Sequence, residues 1–313
     1  MARGTLRPTG SSLSGFPFIP MQLFSQLKSP ILCLAFAPDG QTLAATAQGR
    51  MQVGTWRLPE GTFRRWNPSA DTWVRSLAFS ADGKWLVVSD DWGMIFPYER
   101  SREVYASKCR ATGGACALAF APDRTVLAVA SLGVALWDLD NDFSDFFLPT
   151  GRRRSYSAVA FAPDGRTVAA ADQEYSEVSV WQLDDNLYPS GKEKLVAVPQ
   201  TPSSVAFSPD GQTLASASGD VVFLYALRAG KTRAKLHQPK TRIQQLAYHP
   251  DGQLLATAAT DGTVRFWETR SNREVRSFHW NIGRVRCVVF APDGMTCAAA
   301  GNTGQVVLWD VDV

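Results

Sequence analysis

The chain has 313 residues, of which 45% are hydrophobic and 19% charged, with a net charge of +3. That balance excludes a disordered chain and supplies ample core material. The charge excess is far below that of a committed nucleic-acid binder, and the longest apolar run, residues 126–137, is too short to span a bilayer.

From Met1 to Gly15 the sequence is rich in Gly, Ser and Thr, and no acidic residue precedes Asp39. Residues 1–16 read as a flexible leader; a transit peptide and a disordered tail share this composition. The five cysteines, Cys33, Cys109, Cys116, Cys287 and Cys297, are odd in number and lack CxxC spacing. They read as small hydrophobes in a reducing compartment rather than as a disulfide or zinc framework. A cytoplasmic protein is the expectation.

From residue 17 onward one phrase recurs. It is Ala35-Phe36-Ala37-Pro38-Asp39-Gly40, then Ala160-Phe161-Ala162-Pro163-Asp164-Gly165, Ala206-Phe207-Ser208-Pro209-Asp210-Gly211 and Val289-Phe290-Ala291-Pro292-Asp293-Gly294. Variants follow Phe79, Phe120 and Tyr248. The seven anchoring aromatics are spaced by 43, 41, 41, 46, 41 and 42 residues. Pro-Asp-Gly presets a tight turn, because proline fixes φ and glycine tolerates positive φ. The apolar runs on either side then form a hairpin. A third run closes on an aromatic, as in Val306-Val307-Leu308-Trp309. A fourth, more polar run, such as Glu274-Val275-Arg276-Ser277-Phe278, suits an outer edge. Each unit is therefore four strands that cannot bury their faces alone, and stacking the units around an axis solves this.

These repeats resemble the WD-repeat family. The closing aromatics are Trp56, Tyr98, Trp137, Trp181, Tyr225, Trp267 and Trp309, and Trp137-Asp138 and Trp309-Asp310 keep the dipeptide that names the family. The Pro-Asp-Gly-rich texture looks bacterial or cyanobacterial. The resemblance implies an all-β, seven-bladed β-propeller of four-stranded antiparallel blades over residues 17–313. It also implies a non-catalytic scaffold, or a subunit of a larger assembly, that binds proteins through its narrow face. The family's Gly-His, part of a His–Ser/Thr–Asp–Trp hydrogen-bond network, is absent. His237 and His279 fall at the ends of fourth strands instead, so blade rigidity is expected to rest on apolar packing. The last repeat stops after its third strand. Phe24 precedes Phe36 by the same twelve residues that separate Phe278 from Phe290. The segment around 20–26 is thus the missing strand, and deleting residues 1–27 should destabilise the ring.

Catalytic patterns are scarce. Gly230-Lys231-Thr232 lacks the first glycine of a phosphate loop, since Tyr225 stands there, and reads as a turn. Asp138, Asp140 and Asp142 begin like a calcium loop but lack its glycine and its closing Glu. No enzyme activity, cofactor or metal is expected. Partner contacts are sought among residues four and six before each repeat aromatic, which alternation points to the narrow face. A basic group there is Arg242, Arg284 and Arg286, joined by Arg50 once the ring closes. A second group is Trp73, Arg75 and Trp92 on blade 2, residue types enriched at hot spots. Arg152, Arg153 and Arg154 add a basic run before blade 4. The expected partner is an acidic protein segment, and charge reversal at Arg284 and Arg286 should weaken its capture. The alternatives are a nucleic-acid-associated propeller and, behind it, an enzyme using the central channel. Fold alone does not choose among them.

Overall fold

The computed structural model describes residues 21–49, 52–66, 73–106, 109–111, 113–114, 117–141, 144–150 and 154–311. Seven antiparallel sheets follow one another along the chain, their strands pairing in sequence order, except that in blade 2 the short pieces Val104–Tyr105 and Cys109–Arg110 both pair with the third strand and in blade 7 the outer strand is Met21–Phe24. Blade 6 shows the plan: Ile243–Tyr248, Leu254–Ala259, Thr263–Glu268 and Arg273–His279. The first strands of successive blades touch in ring order, and Val285–Phe290 of blade 7 packs on Ile31–Phe36 of blade 1. The chain is therefore a closed seven-bladed propeller.

Burial grades outward from this inner ring. Second strands are sealed, as in Thr213–Ser218 and Leu254–Ala259, and they are alanine-rich. Small side chains let neighbouring sheets approach, and the third-strand aromatics fill the remaining space. Fourth strands such as Lys231–His237 are largely exposed. His237 and His279 do end fourth strands.

Ring closure follows the register read from Phe24. Met21–Phe24 pairs antiparallel with the third strand of blade 7, Met21 opposite Trp309 and Phe24 opposite Val306. Phe24 also stacks on Trp56 of blade 1, centroids 5.3 Å apart. The closure strand thus ties the last sheet and seals the seam to the first.

Two features were not legible in the repeats. The first is a β-bulge where the first strand pairs with the second. It falls between Ile31 and Cys33, Val74 and Leu77, Tyr156 and Ala158, Pro202 and Ser204, Ile243 and Gln245, and Val285 and Cys287. An inserted residue breaks strict alternation and re-aims side chains. At Ser157 and Ser203 the bulged hydroxyl donates to the next blade, to Pro202 O at 3.1 Å and Ile243 O at 2.7 Å. The position four before the aromatic is there a clasp between blades rather than a partner contact.

The second feature is a substitute for the missing network. In blade 6 the Trp267 indole N–H donates to Thr257 Oγ1 at 3.1 Å, and that hydroxyl donates to Gln238 Oε1 at 3.0 Å. Gln238 Nε2 reaches Thr263 Oγ1, which donates to Asp261. Gln238, fully buried, takes the part of the family histidine. In blade 1 the Trp56 N–H donates to Gln26 Oε1, and in blade 4 that of Trp181 donates to Pro149 O, both at 2.9 Å. The indole N–H groups of Trp137 and Trp309 are buried without a partner. The register places Val129 and Ala299 where blade 6 has Thr257, so no hydroxyl is available there. In blades 3 and 7 packing takes the place of this indole bond, and a rebuilt polar chain helps hold blade 6.

Candidate functional site

One rim of the ring is built from the links between blades and the turns joining second to third strands. The sequence candidates that the structure describes lie on it. Arg242 stands in the link into blade 6, where its backbone exchanges hydrogen bonds with Thr260. Arg284 occupies the same place before blade 7. Both are exposed, and among the described residues neither guanidinium is held by another side chain. Arg286 is half-buried and tied by Nε to Asn302 Oδ1 at 2.7 Å. Lys240 and Lys28, which the spacing argument did not single out, stand in the links into blades 6 and 1 and extend the arc.

Between blades 5 and 6 this rim opens into a cleft of about 550 Å3, lined by Thr201, Asp220, Lys240, Thr241, Arg242 and Thr260 among others. Its acid, Asp220, lies 3.2 Å from His237 Nε2. Asp261 in the next turn is engaged by Arg265 at 3.1 Å. Links 6, 7 and 1 therefore display four cations, Lys28, Lys240, Arg242 and Arg284, and the nearby Asp261 is already paired with Arg265.

Blade 2 carries the second group. The Asp91 N–H donates to Trp73 O at 2.9 Å, and Arg75 pairs with the Asp91 carboxylate. Trp92 follows in the same turn, its N–H donating to Asp90 Oδ1 at 2.9 Å. Trp73 is 45% and Trp92 65% exposed. These indoles stand outside the core. Next to Trp92, a Cβ on Gly93 would lie 2.0 Å from Gly113 O. The backbone of the following link thus lies directly against the turn that carries Trp92.

The basic run before blade 4 needs correcting. Arg50, Arg152 and Arg153 lie outside the described residues. Arg154 is 2% exposed and donates to Asp172 at 2.7 Å and Glu177 at 3.0 Å. It is an internal counter-ion to a fully buried Asp172, so it offers nothing to a partner. Only this tertiary pairing separates it from a solvated charge.

The remaining motifs are structural. Gly230 sits in a turn at φ 65 with its N–H on Ala226 O. Asp140 pairs with Lys84 at 3.0 Å, and Asp142 lies outside the described residues. Burial pushes the thiols of Cys33, Cys287 and Cys297 up, so they stay protonated and unreactive. His249 bridges blades, with Nδ1 2.5 Å from Asp251 and Nε2 2.9 Å from Gly294 O. Among the described residues no group of three His, Cys, Asp or Glu side chains is placed to hold a metal, and no helix is long and apolar enough to cross a membrane.

Fold and repeats together define the class, a seven-bladed β-propeller. Residues 20–53 and 61–96 match the model of the WD domain, G-beta repeat. Residues 172–312 match the model of the Nucleolar protein 10-like, N-terminal domain. The mouse (Mus musculus) Periodic tryptophan protein 2 homolog is 23% identical over 271 residues, covering 75% of this chain and 29% of that protein. The chain thus spans less than a third of the length of that relative. Two expectations are corrected here. The similar family model describes a nucleolar protein, which overturns the cytoplasmic placement. The bacterial or cyanobacterial texture finds no support, since the relative is a mammalian protein.

Proposed function

We propose that this propeller is a nucleic-acid-associated subunit of a nucleolar protein–RNA assembly, engaging RNA through the link rim of blades 6, 7 and 1. The carrying observation is the run of Lys240, Arg242, Arg284 and Lys28 over three successive links, the two guanidiniums exposed and held by no described side chain. Spaced cations of this kind follow a phosphate backbone and release its counterions on binding. The similarity to a nucleolar domain supports this setting, because nucleoli are dense in RNA. A net charge of +3 is compatible, since the local arc sets the field that a strand meets.

The test is a fluorescence-anisotropy titration of a single-stranded RNA at several salt concentrations. Replacing Arg242 and Arg284 by Glu should weaken binding about tenfold or more and lower the salt slope by about two. An unchanged affinity and slope would overturn the reading.

A second reading, protein docking on blade 2, is favoured by the exposure of Trp73 and Trp92 beside the Arg75–Asp91 pair. Its contacts would be apolar and nearly independent of salt. Trp92→Ala would then reduce capture of a protein partner while leaving RNA affinity as it was. Loss of RNA affinity in that variant would reject the protein-docking reading.

A further inference from the structure

The opposite rim holds the Pro-Asp-Gly turns and the turns between third and fourth strands. Between blades 1 and 2 it opens into a cleft of about 500 Å3, to which Arg57, Arg64, Arg100, Trp66, Tyr98 and Phe79 contribute. That volume falls in the range of small-ligand clefts, about 300–1,000 Å3. Two of the three guanidiniums are laid on aromatic rings: Arg64 lies 4.3 Å from the Trp66 ring and Arg100 5.2 Å from that of Phe79. Both are also hydrogen-bonded: Arg64 donates to the two carboxylate oxygens of Glu103, and Arg100 to Gly83 O at 3.0 Å and Thr42 Oγ1 at 3.2 Å. Arg57 is exposed at the rim, and no other described side chain engages it.

The charge balance distinguishes this cleft. The corresponding clefts between blades 4 and 5 and between blades 5 and 6 also carry cations, but each is lined by two turn carboxylates: Asp164 and Asp210 in one, Asp210 and Asp251 in the other. In the cleft between blades 1 and 2 the lining holds one acid, Glu103, against three arginines. Asp39, outside the lining, meets Arg100 at 3.4 Å. Glu103 binds Arg64 at 2.7 Å from an exposed turn, both side chains more than half exposed. Solvent screens this pair, and an incoming phosphate that displaces Glu103 replaces the two hydrogen bonds it accepts from Arg64.

The cleft also holds an unmet polar group. Tyr98 is 3% exposed, and its hydroxyl is buried with no hydrogen-bond partner. Arg64 and Glu103 both act electrostatically on it. An unpaired buried hydroxyl costs free energy that a ligand acceptor would recover.

We infer that this cleft takes one unpaired nucleotide of a single-stranded RNA. The phosphate meets Arg57 and Arg64 as it displaces Glu103, and the base lies against the arginine–aromatic stacks. Unpaired bases use both aromatic faces and guanidinium planes in this way. The inference rests on the RNA reading proposed above and adds a second contact on the opposite rim.

The experiment uses the full chain and a single-stranded RNA of about twelve nucleotides carrying 4-thiouridine. Ultraviolet crosslinking with peptide mapping is read beside anisotropy. Crosslinks on peptides containing Trp66, Phe79 or Tyr98 are expected. Arg57→Ala combined with Arg64→Ala should weaken binding about tenfold with an unchanged melting temperature, because both side chains are exposed. Tyr98→Phe should weaken RNA binding while the melting temperature stays level or rises, an outcome a merely structural tyrosine would not give. If only the Arg242→Glu/Arg284→Glu variant loses binding and crosslinks stay on the link rim, this inference fails and the proposed function stands. If only the cleft variants lose binding, the inference holds and the link-rim assignment fails. RNA that binds at neither place overturns both. A phosphoserine peptide that occupies the cleft where RNA does not also overturns it.

Discussion

The side chains that decide most here are those whose role depends on one buried partner. Thr257 is the hinge of the blade 6 network, accepting from Trp267 and donating to Gln238. Thr257→Val keeps the shape but leaves an indole N–H and an amide oxygen unpaired. A loss of about 1–3 kcal/mol is expected, read as a lower urea midpoint at constant m value. An unchanged midpoint would show that packing alone holds the blade. Arg154 is the other case. Arg154→Ala would leave the buried Asp172 carboxylate without its counter-charge, at a cost of about 3–5 kcal/mol. RNA binding by the protein that remains folded should not change, and a loss of binding at full stability would return Arg154 to the interface. Neither role was legible in the sequence. Gln238 follows His237 in a polar stretch, and Arg154 reads as the third of three like charges. Their meaning comes from residues 19 and 18 positions away.

At the scale of elements, repetition made the sheets legible. The Pro-Asp-Gly turn and the closing aromatic set each hairpin and each third strand, and the twelve-residue offset of Phe24 set the closure strand. That strand joins the chain's beginning to its end, so its loss should be felt by every blade. Deleting residues 1–27 is expected to lower thermal stability as one cooperative transition in calorimetry. Phe24→Ala alone, which empties the seam against Trp56, should cost about 3–5 kcal/mol. Deletion with unaltered melting would refute the closure role. The bulges were not legible. Each inserts one residue in a first strand and re-aims the side chains beyond it. As a result the residues four before each aromatic divide by blade: Ser157 and Ser203 clasp neighbours, Arg286 ties to Asn302, and the freest cations sit two to four positions earlier, in the links.

At the scale of the molecule, ring geometry gathers charges that are far apart in the chain. Lys28 and Arg284 are separated by nearly the whole sequence, yet they stand on neighbouring blades because the ring closes between them. Arg100 likewise joins Arg57 and Arg64 in one cleft only because blade 2 packs against blade 1. Repeat period, turn chemistry and apolar alternation are local properties, so the sequence by itself determined the blade count, the strand order and the closing register. Which charges are buried, which indoles reach solvent and which cations share a rim depend on packing between blades. Those outcomes were decided only by the tertiary structure, because desolvation and pairing act through space and not along the chain.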